Sequence, residues 1–141
     1  MKRKHKEEGS KFEKKVANFF RKKGYSKVLL RERVIGKSGV KHEVDVLVFD
    51  NFDQGRMLYA CQCKYWDKKV GIKEIKEWIQ TCNDIGVRPV FAAKNFSSKA
   101  REYALRYNVY LITLRDLEAE KIQVVSNDYL SWKNKLNAIN N

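Results

Sequence analysis

The chain reads as an α/β domain, a mixed central sheet flanked by helices. Three observations predict this. An amphipathic helical stretch comes first, carrying Phe12, Val16, Phe19 and Phe20 at helical spacing. Three strand-like runs follow, joined by short Gly-containing loops that suit an antiparallel meander. Helical and strand-like runs then alternate, as crossover connections require. The order is α-β-β-β-α-β-α-β.

Residues 1–9 are charged and carry no apolar face, so a flexible basic arm is expected there. Ser10-Lys11-Phe12-Glu13 matches a capping box and predicts a helix from Ser10 to the stop at Gly24. The first strand is expected over Lys27 to Val34, closed by Gly36-Lys37-Ser38-Gly39. The second spans Lys41 to Phe49, with Val44, Val46 and Val48 alternating with Asp45, Leu47 and Phe49. The third runs from Met57 to Tyr65 after the loop Asp50 to Gly55. Gly71 precedes a second helix with Ile72, Ile75, Ile79 and Cys82 on one stripe, and Gly86 stops it. Arg88 to Ala93 is a short strand. Ser97 or Ser98 caps a third helix to about Tyr107, with Ala100, Tyr103, Ala104 and Tyr107 inward. Val109 to Ile112 closes the sheet, and Thr113 caps a short helix holding Leu114 and Leu117. One domain is expected over 10–125, and a helical tail over 126–141 that uses Tyr129, Trp132, Leu136 and Ile139.

Composition narrows the partners. The 141 residues hold 30 Lys and Arg against 17 Asp and Glu, a formal charge of +13. Such an excess points to a polyanion, most commonly nucleic acid. A membrane surface would call for a basic amphipathic anchor or a lipidation signal, and neither is visible. No apolar run is long enough to span a bilayer, and no signal peptide follows the basic start, so a cytoplasmic protein is expected. Cys61, Cys63 and Cys82 are an odd set without a disulfide pattern and suit a reducing compartment.

The chemistry concentrates on the second and third strands. Asp45 interrupts an apolar strand. In Cys61-Gln62-Cys63-Lys64, strand alternation puts Gln62 and Lys64 on one face and both cysteines on the other. Cross-strand neighbours lie about 5 Å apart, so Asp45 can share a surface with Gln62 and Lys64. Phosphodiester hydrolysis needs such a surface. A hard cation such as Mg²⁺, with Mn²⁺ as a substitute, is held by oxygens: the Asp45 carboxylate, then the Gln62 amide and the Cys63 carbonyl. It polarises the phosphate and lowers the pKa of an attacking water. Lys64 supplies positive charge where negative charge grows, and Glu13 completes the shell through water.

These residues resemble the PD-(D/E)xK nuclease superfamily. The helix with Glu13, His42-Glu43-Val44-Asp45-Val46 and Cys61-Gln62-Cys63-Lys64 are most similar to the Mrr-like restriction endonucleases, with archaeal Holliday-junction resolvases as near relatives. The resemblance covers roughly residues 10 to 113. It implies a restriction-endonuclease-like αβββαβ core and a metal-dependent DNA endonuclease. Glu13 matches the helical acid, Asp45 the metal ligand, Gln62 the variable acidic position and Lys64 the catalytic lysine. No Pro precedes Asp45, and neutral Gln62 leaves one negative charge fewer, which favours a single metal. Duplex cleavage needs two sites, so a homodimer is expected, and a separate partner can supply targeting.

Plainer readings stand beside these. Glu13 also serves as the N3 residue of the capping box. Lys64 also reads as an edge-strand gatekeeper. Cys61 and Cys63 lack zinc spacing and read as buried apolar residues. Lys37, Ser38, His42, Lys68 and Lys69 suit DNA contact, though His42 also fits a strand edge; Glu43 is a reserve ligand. Trp66, Trp78 and Trp132 either stack on bases or, more commonly for such residues, pack in the core or at a dimer interface. Two rival functions remain: a junction resolvase, and a non-catalytic DNA-binding module on the same fold.

Overall fold

The computed structural model describes residues 2–122. The helix expected over 127–139, and Trp132 with it, lies outside the described residues. Helix α1 (Lys2–Lys22) is followed by strands β1 (Val28–Ile35), β2 (Lys41–Phe49) and β3 (Met57–Lys64). Then come α2 (Ile72–Ile85), β4 (Arg88–Ala93), α3 (Ser98–Arg106), β5 (Tyr110–Thr113) and α4 (Leu114–Ile122). The five strands lie in sequence order in one sheet. β1, β2 and β3 form the antiparallel meander, while β3–β4 and β4–β5 are parallel pairs joined through α2 and α3. This is the mixed, helix-flanked architecture that the sequence predicts.

Two apolar layers hold the sheet. On one side Phe12, Val16 and Phe20 of α1 pack against Val46, Val48, Tyr59, Cys61 and Ile112, with Leu117 of α4 closing the layer. On the other side Ile75, Trp78 and Cys82 of α2 and Ala100 and Ala104 of α3 pack against Leu47, Ala60, Phe91 and Ala93. Full burial of side chains this size is worth roughly 1.5–3 kcal/mol each, so the two layers clamp β3 and β4 at the centre.

Helix ends follow their residues. Gly86 takes the left-handed conformation, φ 85°, and its N–H returns to the Cys82 carbonyl to end α2. Ser97 accepts from Ala100 N at 3.1 Å. Thr113 and Asp116 form a reciprocal box at the start of α4, Asp116 N to Thr113 Oγ1 at 3.1 Å and Thr113 N to Asp116 Oδ2 at 2.8 Å.

Three expectations are corrected. Residues 2–9 are not an arm but the first turns of α1. Lys, Glu and Arg are good helix formers even without an apolar face. Ser10 therefore lies inside the helix, and Glu13 is not the N3 residue of a capping box. On α2, Trp78 and Ile85 are buried beside Ile75 and Cys82, while Ile72 and Ile79 are only half-buried. Trp78 donates Nε1–H to the Ala60 carbonyl at 3.1 Å, which fixes it in the core rather than at a DNA surface. Tyr107 is exposed, its ring tilted by 33° against that of Tyr103 with centroids 4.4 Å apart.

Candidate active site

β2 and β3 pair from Phe49↔Met57 up to Val46↔Cys61, and the ladder ends there. Asp45 is the next residue. Its Oδ2 accepts the backbone N–H of Cys63 at 2.9 Å, filling the gap where the strands part. A cavity of about 530 Å³ opens at this point, lined by Glu13, Arg31, Glu43, Asp45, Gln62, Cys63 and Lys64 together with Lys6 and Tyr65. Glu13, Asp45, Gln62, Cys63 and Lys64, all singled out in the sequence, thus meet at one cavity.

Local backbone geometry makes this possible. In an even strand Val44 and Val46 would share a face. Here Val46 packs with α1 and Val44 with α2, so the alternation slips at Asp45. The opposite residue on β1 is Arg31, flanked by the Leu30–Val46 and Glu32–Val44 pairs. Arg31 has φ 52°, left-handed and unusual for a side chain of this size. Its Nε lies 3.2 Å from both carboxylate oxygens of Glu13. The sequence reading missed Arg31. Its only signal is that β1 turns from apolar to charged at Arg31-Glu32-Arg33, which a solvent face explains equally well.

Burial pushes the Asp45 carboxyl up to about 6, with Glu13 adding to the rise. The Cys63 N–H and the Lys64 charge oppose it and do not cancel it. Lys64 Nζ sits 5.2 Å from the Trp66 ring centroid, and Lys68 Nζ caps the same ring at 4.8 Å. Burial also drives the Cys63 thiol well up, so its sulfur is no thiolate ligand.

Among the described residues, no three His, Cys, Asp or Glu side chains group to hold a metal ion. An oxygen-rich site that relies on water and substrate is a different matter. Asp45 Oδ1 makes no hydrogen bond among the described residues, and Gln62 and Cys63 line the same cavity. Such a donor set fits a hard divalent cation held by one carboxylate and neutral oxygens.

None of the other expected contact residues lines this cavity. Asp84, near the end of α2, takes the N–H of Ser38 at 2.9 Å, the hydroxyl of Ser38 at 2.6 Å and pairs with His42 Nε2 at 2.7 Å. Lys37 N donates to the Asp84 carbonyl at 2.8 Å. These bonds fasten the β1–β2 loop to α2. His42 still borders a smaller cavity next door, which shares Glu43, Gln62 and Lys64 with the first. Lys68 and Lys69 are exposed in the loop after β3.

Residues 5–120 match the Mrr_cat family, described as a restriction endonuclease. The crystal structure of a protein of unknown function, AF1548, is similar with a TM-score of 0.64, covering 89% of this chain and 78% of that one at 19% identity. That likeness is one of fold. A repair endonuclease from Pyrococcus abyssi matches with a TM-score of 0.42 at 15% identity, covering 61% of this chain and 39% of its own. No curated protein matches in sequence. Among the described residues, no helix is long and apolar enough to cross a membrane.

Proposed function

The chain belongs to the Mrr_cat restriction endonuclease family and is a nuclease acting on DNA, and from that premise we propose a divalent-metal-dependent endonuclease working at the Asp45 cavity. The observation that supports this reading best is Asp45 itself. A carboxylate with a raised pKa, placed where two strands part and beside Lys64, is costly to the fold and useful to a cation. Asp45, the Gln62 amide oxygen and the Cys63 carbonyl would hold Mg²⁺ or Mn²⁺, with Glu13 acting through water. The cation, when bound, polarises the phosphodiester and makes an attacking water more acidic.

The chain's own groups supply the rest. Lys64 meets the negative charge that grows on the phosphate. The Cys63 N–H orients Asp45 through Oδ2 and leaves Oδ1 for the cation. Lys37, Lys68 and Lys69 are proposed phosphate contacts on the flanking surface. Ser38 and His42 are better read as scaffolding, since Asp84 takes the Ser38 hydroxyl and the His42 Nε2. A homodimer would supply the second site that duplex cleavage requires.

Supercoiled plasmid and a four-way junction, incubated with Mg²⁺ or Mn²⁺, test the reading. Wild-type protein is expected to cleave, and Asp45→Ala and Lys64→Ala to lose roughly a hundredfold or more. Cleavage that survives in both variants would overturn the site. Binding without cleavage would favour a non-catalytic module, and strong preference for the junction a resolvase.

A further inference from the structure

We propose that Arg31 grips the substrate phosphate in this cavity, its guanidinium bonding a non-bridging oxygen while Glu13 holds it in place. The assignment rests on the nuclease reading of the same site.

Four observations lead to it. First, Arg31 occupies the left-handed region at φ 52°. Glycine or asparagine takes that conformation readily; a long side chain does so under strain. Such strain persists where a side chain must be aimed. Second, the aim is visible. Leu30 packs with the α1 layer, and Arg31, the next residue, reaches Glu13 of α1 as well. Consecutive strand residues point to opposite sides unless the backbone turns between them.

Third, the Glu13 contacts use Nε alone, at 3.2 Å to each oxygen. The two Nη groups make no hydrogen bond among the described residues, and the side chain is 56% exposed. A guanidinium anchored at Nε still presents paired N–H groups, a geometry that matches two phosphate oxygens. Fourth, Arg31 lies opposite Asp45 in the β1–β2 register and lines the same cavity as Lys64. A phosphate drawn toward a cation at Asp45 would thus meet a planar fork on one flank and a point charge on the other. An ion pair with Glu13 through Nε alone leaves both Nη groups unused, so that pair does not account for the whole of the aimed guanidinium.

Arg31→Gly separates the two roles, since glycine suits the backbone and removes the fork. With Mn²⁺ and plasmid DNA, this variant should lose roughly a hundredfold in kcat/KM while its thermal midpoint stays at or above that of wild type. Free guanidinium at tens of millimolar should restore part of its activity beyond a sodium chloride control of equal ionic strength. The same addition should do nothing for Lys64→Ala. Cleavage by Arg31→Gly within about threefold of wild type, with Asp45→Ala silent, would overturn the assignment alone. So would an inactive Arg31→Gly that guanidinium fails to rescue. Equal cleavage by wild type and Asp45→Ala would instead overturn the underlying site.

Discussion

Burial disfavours the charged form of a carboxylate, and Asp45 bears that cost with one backbone N–H and a nearby lysine as compensation. Between an ordinary value of 3.8 and the folded value of about 6, the folded chain binds more protons than the unfolded one. Stability from this residue is therefore full below about pH 4 and is lost as the pH rises through 6. A change of that size corresponds to about 3 kcal/mol, and solvent in the open cavity reduces it. Asn at this position keeps an acceptor for the Cys63 N–H and never ionises. Asp45→Asn should therefore stabilise the protein by about 1–3 kcal/mol at pH 8 in EDTA, and by almost nothing at pH 3. Urea denaturation at the two pH values reads the difference. Added Mg²⁺ should then raise the stability of wild type and leave Asp45→Asn unmoved, because ligand binding to the folded state stabilises it in proportion to occupancy. A variant less stable than wild type at pH 8 would show that the burial cost is not borne at this carboxylate.

The β1–β2 hairpin is the element that places both Arg31 and Asp45, and Asp84 ties its loop to α2. Three hydrogen-bonding contacts with Ser38 and His42 hold the Asp84 carboxyl down at about 2. For a lowered carboxylate, stability is present above the ordinary range near 4 and is lost as the pH falls toward 2. Gly36 is what lets the carboxylate in, since a Cβ there would overlap it. Gly36→Ala is expected to cost about 1–3 kcal/mol and to raise amide exchange across residues 35–42 without disturbing α3. Unchanged exchange in the hairpin would mean that the clamp is not what holds it. The sequence showed this element only in part. The β2 boundaries and the stops at Gly24 and Gly86 follow from local residue chemistry, and they came out as read. The clamp joins Ser38 and His42 to a residue more than forty positions away, and no local pattern records that. The slip at Asp45 is similarly hidden, because a period-2 pattern assumes the even pleat that Arg31 breaks. It also explains why the candidate residues could be picked out in the sequence while their geometry could not. Gln62 and Lys64 sit on a regular strand, but Asp45 reaches them across a gap rather than across a ladder. The start of α1 was misread for a simpler reason: Ser10 resembles a cap, and nothing apolar before it revealed the helix already running.

At the scale of the whole molecule, net charge and site must act together. The formal charge of +13 belongs to the full sequence, and it is not concentrated in the cavity, where Glu13, Glu43 and Asp45 oppose Lys6, Arg31 and Lys64. Exposed lysines such as Lys68 and Lys69 lie outside the cavity, where phosphates of a bound duplex would meet them. Each neutralised phosphate releases counterion and contributes about 0.9 to the slope of log affinity against log salt. If surface lysines such as Lys37, Lys68 and Lys69 engage about five phosphates, affinity should fall roughly 500-fold between 50 and 200 mM salt. Fluorescence anisotropy of a labelled duplex, measured in Ca²⁺ to hold cleavage back, gives that slope directly. Lys68→Ala with Lys69→Ala should flatten it by about two. Asp45→Ala removes a negative charge and no phosphate contact, so its slope should match wild type even as its cleavage disappears. A slope near zero for wild type would mean that the basic surface is not what recruits DNA. A slope that changes with Asp45 and not with the lysines would place the phosphate contacts inside the cavity instead of around it.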